Sequence, residues 1–400
     1  MKKMIVVGGG ASGLAAAIAA AENGASVCIL ERLPRVGKKL LLTGNGKCNL
    51  SNITLSGDRY HGSVRYAHIL HSFDAEQYFR NLGLFLRTDS EGRQYPMSMT
   101  AASVLDALRI RAEALNVRVF CEVQVTGLSR TKKGWCVHAA EEEFHADAVI
   151  FAAGGSAAPN LGTDGSLLPV LAQYGHQIIK PRPAICSVHS DAERLRPLRG
   201  VRVRAEVSAV RGGNVLKAER GEVQFNDDAL SGICVMNLAR LASLYGKRLT
   251  LRLNLLPEIP PQTLPEIIAL LIAQRGLLPA SELLTGLLPK RVGERIIKET
   301  FGHLTTPAAA LIPDTDAAQR LCAALTAWEF PVLGTAGFDK AQVTAGGIAG
   351  ECVSDTLESK AAPGLYFCGE ILDLDGDCGG YNLAWAWASG TWAGRHAAGQ

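Results

Sequence analysis

A glycine-rich turn near the start of the chain has the residue types and spacing needed to hold a diphosphate. The segment reads Gly8-Gly9-Gly10-Ala11-Ser12-Gly13, a G-x-G-x-x-G pattern. The first glycine permits a tight turn, the second lets backbone N–H groups approach an anion, and the third lets a helix lie close to a sheet. The N–H groups that open a helix also favour negative charge. We therefore predict cofactor contacts at Gly8, Gly10, Ala11, Ser12 and Gly13.

An acidic residue follows this turn at about the spacing of 20 residues expected for a ribose-binding carboxylate. This residue is Glu31, and we include Arg32 beside it. An acid at this position favours FAD or NAD over NADP. A glycine-rich turn without a ligand is the alternative, but the surrounding elements are also in order. An apolar strand at 4–7, an alanine-rich helix at 14–22 and a second strand at 26–30 support dinucleotide binding.

A polar loop at 38–52 carries three lysines and several small residues around an Asn-Gly turn. Such a loop can donate hydrogen bonds to a flavin ring and a diphosphate. An exposed loop with solvated lysines is the alternative interpretation. The predicted cofactor contacts here are Lys38, Lys39, Thr43, Gly44, Asn45, Gly46, Lys47, Cys48 and Asn49.

Near the C-terminus, a strand at 365–368 is followed by acids, a glycine pair and a helix at 383–395. Glu370 or Asp373 can accept hydrogen bonds from ribityl hydroxyls. A helix opening at the glycine pair points free N–H groups at a flavin ring and stabilises negative charge on the reduced ring. Asp375 and Asp377 form only an incomplete calcium-loop pattern, so no metal is expected. The predicted contacts are Gly369, Glu370, Asp373, Gly379, Gly380, Tyr381, Asn382 and Leu383.

The middle of the chain contains fewer residues that indicate a cofactor contact. A strand at 146–151 ends in small residues, and glycine there permits close backbone approach, so Ala153 and Gly154 are predicted beside the cofactor. Backbone near Val125 is expected at the adenine by analogy with other flavoproteins. No second complete G-x-G-x-x-G pattern occurs, so a separate NAD(P)H domain is not expected. Transient nicotinamide binding over the flavin stays open.

Both ends of the sequence resemble one bacterial family of FAD-dependent oxidoreductases, which includes aminoacetone oxidases and a bile-acid flavoprotein. Residues 39–52 are similar to its K-L-L-x-S/T-G-x-G-R/K-C-N-x-x-N signature, and residues 364–390 to GLYFxGExLDxDGxxGGYN-x-x-WAW-x-SG. The TAGGI segment at 344–348 also fits. Asn45 and Lys47 stand where many members have Gly and Arg, and lysine lacks a planar fork of donors. Asn226 and Asp227 stand where many members carry Thr-His, so chemistry through that histidine is not available to this chain.

The resemblance and the hydrophobic pattern together predict an α/β fold. We expect a two-dinucleotide-binding, Rossmann-like FAD/NAD(P)-binding domain at 1–186 and 335–400, with an inserted antiparallel β domain at 187–255 and a helical cap at 256–334. Alternating residues at 201–210, with turns at 211–214 and 220–221, indicate the β insertion. Helices are predicted at 264–274, 279–288 and 291–300, and a strand at 117–125.

Composition narrows the function. The chain has 400 residues, a net charge of +3, ten cysteines without a C-x-x-C pair and no apolar run that could span a membrane. We expect a cytoplasmic enzyme with no membrane or nucleic-acid partner. FAD should mediate hydride transfer between a small organic substrate and flavin N5, with NAD(P)H or oxygen as redox partner. A flavin-dependent amine oxidase and an RNA-modifying or RNA-binding flavoprotein are the alternatives. The sequence identifies no catalytic acid or base, substrate or oligomeric state.

Overall fold

The computed structural model describes residues 1–140 and 142–399. The chain divides into two compact units, which we call the first unit (Met1–Pro183 with Phe338–Gln400) and the second unit (Ala184–Gly337). The strands and helices predicted at 187–334 lie together in the second unit. Their division into a β domain and a separate helical cap stays a prediction.

The elements are numbered along the chain. The strands are β1 (Lys3–Val7), β2 (Ser26–Leu30), β3 (Ser51–Asn52), β4 (Tyr60–Gly62), β5 (Leu86–Thr88), β6 (Arg93–Pro96), β7 (Arg118–Phe120), β8 (Gly127–Thr131), β9 (Gly134–Ala139), β10 (Glu142–Ala146), β11 (Ala148–Phe151), β12 (Ile178–Ala184), β13 (Val188–His189), β14 (Arg202–Arg211), β15 (Asn214–Phe225), β16 (Ala229–Ser231), β17 (Thr250–Asn254), β18 (Trp328–Pro331), β19 (Gly334–Thr335), β20 (Val343–Ile348), β21 (Leu365–Phe367) and β22 (Leu374–Gly376). The α-helices are α1 (Ala11–Glu22), α2 (Ala67–His71), α3 (Ala75–Asn81), α4 (Ala101–Ala114), α5 (Leu168–Ala172), α6 (Ala192–Leu195), α7 (Ile233–Met236), α8 (Ala239–Tyr245), α9 (Leu264–Arg275), α10 (Lys290–Phe301), α11 (Ala308–Leu311), α12 (Thr315–Thr326) and α13 (Tyr381–Ala398).

A parallel sheet with strand order β21-β11-β1-β2-β7 forms the centre of the first unit. Its central strands are continuous apolar runs, as expected where both faces of a parallel sheet are covered. The carboxyl ends of parallel strands meet at one edge of the sheet, where ligands bind in open α/β folds. The glycine-rich turn after β1, Glu31 after β2, Ala153 after β11 and Gly369 after β21 therefore share that edge.

Helices α1 and α13 bring the two ends of the chain together. A Cβ atom on Gly390 would lie 2.4 Å from Ser12 O, and one on Gly394 would lie 2.3 Å from Ala16 O. The two glycines thus let the backbones of α1 and α13 pack in direct contact. This packing places the start of α13 in the same unit as the start of α1, as the sequence analysis expects.

The second unit contains a seven-stranded antiparallel sheet with strand order β18-β17-β14-β15-β16-β13-β19. The predicted turn at 211–214 closes the β14–β15 hairpin, with Gly212 and Gly213 at φ 55° and 83°. The predicted turn at 220–221 is wrong, because β15 continues through it and Gly221 pairs with Ala205. A Cβ on Gly221 would lie 3.3 Å from the Cys234 side chain, so this glycine allows α7 to lie against the strand.

Two other predicted elements are shorter in the structure. The strand predicted at 117–125 is only β7 (Arg118–Phe120). The helix predicted at 279–288 is only a 3₁₀ turn at Ala280–Glu282. Backbone groups here bond outside the segment: Ala280 N donates to Thr306 O, and the Arg275 guanidinium donates to the carbonyls of Leu283 and Thr285. Across residues 1–140 and 142–399, no helix combines the length and apolar character that a bilayer crossing requires.

Candidate cofactor-binding site

The three glycines of the first turn have different surroundings. A Cβ on Gly8 would lie 2.5 Å from Ala152 O, and one on Gly13 would lie 1.9 Å from Gly8 O. Both positions are therefore closed by backbone packing. Gly10 is different, since apart from its chain neighbours no atom of the described residues lies within 4 Å of the position of its Cβ. The turn is tightly packed at its two ends and open at its centre, which is the arrangement that a bound diphosphate requires.

The start of α1 supplies the donors for such a group. The first intrahelical bond runs from Leu14 N to Gly10 O, at 3.0 Å. The N–H groups of residues 11–13 precede that bond, where a helix has no internal acceptor. No side chain caps this end and no acidic residue occupies its first turn. The positive end of the helix thus faces a position suited to an anion.

Glu31 lies at the end of β2 and is buried. Its Oε2 accepts from Gly9 N at 2.8 Å, and its Oε1 accepts from Leu33 N at 2.9 Å. These two bonds fix the carboxylate beside the glycine-rich turn. An ionised carboxylate has about four lone-pair sites, so capacity remains for two ribose hydroxyls. Arg32 instead pairs with Asp164 at 2.6 Å.

Neighbouring groups stabilise the ionised form of the Asp164 side chain. Burial opposes ionisation, but hydrogen bonds from Ser166 and Arg32 outweigh it and lower the pKa of Asp164 to about 2. Arg32 is therefore directed toward a carboxylate of the 156–166 loop that is ionised at neutral pH.

Lys39 connects the polar loop to the C-terminal segment. Its Nζ lies 3.0 Å from Glu370 Oε2 and 3.3 Å from Ala157 O. Glu370 Oε1 also accepts from Thr344 N at 3.0 Å. The Thr344 hydroxyl oxygen in turn accepts from Ser156 N and Ala157 N. Glu370 is thus bonded directly by two separate segments of the first unit, through its ion pair with Lys39 and the backbone of Thr344, and Thr344 is itself held by Ser156 and Ala157.

Asp373 is the second acid proposed for the ribityl chain, and it has an unusual environment. The side chain is buried, and its Oδ2 accepts from the N and the Oγ of Ser63 at 3.0 and 2.7 Å. Among the described residues, no donor reaches Oδ1. Leaving a buried acceptor unpaired costs about 1–3 kcal/mol, so this oxygen fits a site that receives a hydroxyl from a ligand. FAD fits this set of groups: the unpaired Oδ1 of Asp373, the open face of Gly10 and the remaining acceptor capacity of Glu31.

The C-terminal glycine pair and the polar loop are tied together by asparagines. With its amide oriented to suit both neighbours, Asn49 donates to Ser51 O at 3.0 Å and accepts from Gly380 N at 3.1 Å. Asn52 donates to Gly379 O at 3.0 Å. Asn382 donates to Gly376 O and accepts from Gly376 N. The amides of Asn49 and Asn382 therefore hold the turn in shape.

The other predicted residues fall into two groups. The first group is exposed at the tip of the polar loop and comprises Gly44, Asn45, Gly46 and Lys47. Lys38, near the start of the same loop, donates through its Nζ to Asn160 O at 3.2 Å. The second group is more enclosed: Cys48 and Val125 are buried, Tyr381 is buried at the start of α13, and Thr43, Ala153, Gly154 and Leu383 are half-buried. Burial raises the pKa of the Cys48 thiol to about 12, which makes it unreactive.

Three polar residues at this site were absent from the predicted set. Thr344, Ser63 and Asn52 each bond to a residue far away in the chain. Thr344 offered a clue, since it is a polar side chain inside the otherwise apolar, buried strand β20. Asn52 offered another clue, since it is the last residue of the signature at 39–52, whereas Ser63 lies in no motif.

The chain is similar to known proteins over most of its length. Residues 2–396 match the family described as HI0933-like protein Rossmann domain. The chain is 38% identical to a 3-dehydro-bile acid delta(4,6)-reductase of Clostridium scindens, over 100% of this chain and 99% of that protein. It is 27% identical to a ribosomal RNA dihydrouridine synthase of Escherichia coli, over 97% of this chain and 96% of that protein.

Solved structures show a weaker likeness. A 3-ketosteroid-delta4-(5alpha)-dehydrogenase from Rhodococcus jostii aligns with a TM-score of 0.48 at 16% identity, over 100% of this chain and 97% of that one. At that similarity it carries no functional argument. The full-length family match confirms the predicted family and the predicted Rossmann-like α/β fold.

Proposed function

This chain belongs to the HI0933-like Rossmann-domain family and is an FAD-dependent oxidoreductase, and on that premise we propose that it reduces a carbon–carbon double bond of a small organic substrate. The observation that carries the proposal is the likeness, over nearly the whole of both chains, to a protein named 3-dehydro-bile acid delta(4,6)-reductase. That name denotes reduction of double bonds in a ring system that also bears a keto group. We infer the same class of substrate, an α,β-unsaturated ketone.

The chain's own residues would hold FAD along the carboxyl edge of the parallel sheet. In this proposal Glu31 accepts from the adenosine ribose, and the N–H groups of residues 11–13 receive the diphosphate in front of Gly10. Asp373 Oδ1 accepts from a ribityl hydroxyl. When bound, FAD supplies the hydride at its N5 position.

The start of α13 would supply electrostatic stabilisation. The first intrahelical bond runs from Ala384 N to Gly380 O, and the first turn contains no acidic residue. The free N–H groups of this helix therefore form a positive end beside the Gly379–Gly380 turn. A negative charge that develops on the reduced flavin is favoured there, which promotes acceptance of electrons from a donor.

NAD(P)H is the proposed donor, binding transiently rather than in a domain of its own. The test uses FAD-loaded protein under anaerobic conditions, with NADH and NADPH added separately while the flavin absorbance is recorded. We expect bleaching by one of them, and recovery of the absorbance when an unsaturated 3-keto steroid is added, with a product two hydrogens heavier. Bleaching by aminoacetone without any reaction with the steroid would establish the amine-oxidase alternative instead.

RNA modification is the second candidate, because two relatives are named ribosomal RNA dihydrouridine synthase, at 27% and 25% identity. Dihydrouridine also arises by reduction of a carbon–carbon double bond beside a carbonyl. We favour the small substrate because the likeness to the bile-acid reductase is greater, at 38% identity. Incubating the reduced protein with ribosomal RNA separates the two: we expect the flavin to stay reduced, whereas dihydrouridine formation would favour the RNA candidate.

A further inference from the structure

The hairpin of β9 and β10 places four possible metal ligands on one face. In the antiparallel register, Cys136 lies opposite His145 and His138 lies opposite Glu143. Alternate residues of a strand face the same side, so all four side chains share one face. Trp135 and Val137, on the other face, belong to the hydrophobic core. In the sequence, these residues form a C-x-H pair at 136–138 and an E-x-H pair at 143–145. The register of β9 and β10 places the two pairs opposite each other.

The ligand atoms of this face are close to one another. The thiol sulfur of Cys136, a carboxylate oxygen of Glu143 and a ring nitrogen of His145 all lie within 4.8 Å of each other. His138 Nδ1 is 3.3 Å from Glu143 Oε1 and 3.9 Å from Cys136 Sγ. The other ring nitrogen of His138 lies 2.9 Å from Ser129 Oγ, which orients the ring as an outer partner orients a metal-bound histidine.

Cys136 has an unusual position for a buried cysteine. It is only 3% exposed, yet it lies on the face of β9 opposite to the core residues Trp135 and Val137. Its neighbours on this face are ionisable or polar: His138, Glu143 and, across the register of β8 and β9, Ser129. A buried thiol usually serves as a small apolar side chain. Here the surroundings are those of a ligand.

We propose that Cys136, His138, Glu143 and His145 bind a divalent transition metal of the Zn²⁺ type. Zinc takes thiolate, imidazole and carboxylate ligands in a four-coordinate tetrahedron, and this set supplies all three kinds. Tetrahedral ligands at zinc lie about 3.3–3.8 Å apart, so Cys136, Glu143 and His145 need to approach by at most about 1–1.5 Å, through rotamer changes of the exposed Glu143 and His145. The metal would fasten β9 to β10 and has no part in the flavin chemistry. Without a metal, His138 Nδ1 and Glu143 Oε1 form an ordinary side-chain contact at 3.3 Å.

The test is metal binding by the FAD-loaded protein. After treatment with a chelator and dialysis, the protein is titrated with Zn²⁺ against a competing indicator, and Co²⁺ is used to detect thiolate coordination by its visible spectrum. We expect one equivalent of Zn²⁺ bound, no binding by Cys136→Ser, and affinity lowered by about 10–100-fold or more in Glu143→Gln and His145→Asn. Cys322→Ser and His303→Asn, which change a cysteine and an exposed histidine of the second unit, should bind as the unchanged protein does.

FAD content and melting temperature verify that each variant folds. Should Cys136→Ser fail to fold, the exposed positions Glu143 and His145 decide the matter. Absence of stoichiometric Zn²⁺ binding by the unchanged protein, or equal binding by Glu143→Gln, His145→Asn and the controls, would overturn the proposal.

Discussion

The two units differ in how deeply they bury their acidic side chains. Glu31, Asp373, Asp375 and Asp377 are buried, and all four lie in the first unit. Among the described residues of the second unit, no aspartate or glutamate is buried to that degree. Several of its acids form ion pairs while partly exposed, as Glu206 does with Arg220 and Glu299 with Arg194. A buried carboxylate costs free energy unless hydrogen bonds satisfy it, so a protein retains one where a ligand or a fixed backbone needs it. The contrast supports the proposal that the first unit holds the cofactor.

The largest effect should come from the tightly packed end of the glycine-rich turn. In Gly13→Ala, the new Cβ would lie 1.9 Å from Gly8 O, and backbone cannot yield as a side chain can. We expect a loss of about 3 kcal/mol or more in unfolding free energy, measured by denaturant titration. Gly213→Asn, in the open hairpin of the second unit, should cost less than about 1 kcal/mol, because asparagine tolerates a positive φ. Equal losses would contradict the packing difference.

Filling the open centre of the turn should affect the cofactor alone. In the described part of the chain, only the neighbours of Gly10 in sequence come within 4 Å of a Cβ there, so Gly10→Val should fold normally but collide with the diphosphate. We expect FAD affinity to fall by about 100-fold or more, equivalent to about 2.7 kcal/mol, measured by flavin fluorescence. Gly334→Val is the matched control, since it also opens to free space but in the second unit. Normal FAD binding by Gly10→Val would show that the diphosphate lies elsewhere.

Glu31 and Glu206 compare a buried with a half-buried carboxylate. In Glu31→Gln, an amide NH₂ replaces one oxygen that accepts from Gly9 N or Leu33 N. We expect the cofactor-free protein to lose about 1–3 kcal/mol and FAD to bind about tenfold more weakly. Glu206→Gln, which breaks an exposed ion pair with Arg220, should change stability by less than about 0.5 kcal/mol. Thermal melts and FAD titrations of both variants give the comparison, which fails if the two behave alike.

The smallest effect concerns pH. The pKa of Asp164 is lowered from 3.8 to about 2 in the folded chain, so its contribution to stability is present above pH 3.8 and lost as pH falls toward 2. Because this side chain is about one-third exposed, solvent screening limits the effect to less than about 1 kcal/mol. Asp164→Asn should therefore melt slightly below the unchanged protein at neutral pH, and the difference should vanish near pH 2. A difference that grows with acidity would contradict the assigned pKa direction.

The position of a residue in the fold could be predicted from the sequence where its spacing from nearby residues in the chain determines that position. Gly8, Gly13 and Glu31 occupy one strand–turn–helix–strand unit, so their order along the chain nearly fixes their arrangement in space. Prediction failed where partners are distant: Thr344 meets Ser156, and Ser63 meets Asp373, only through tertiary packing. The helix predicted at 279–288 is absent because some of its backbone groups bond outside the segment: Ala280 N donates to Thr306 O, and Arg275 donates to Leu283 O.

A crystal structure of the chain with FAD tests the central claim most directly. The account predicts the adenosine ribose within hydrogen-bond distance of Glu31, the diphosphate against the N–H groups of Ala11 and Ser12, and a ribityl hydroxyl on Asp373 Oδ1. Flavin density away from the carboxyl edge of the parallel sheet, or a Glu31 carboxylate without a ribose contact, would contradict it.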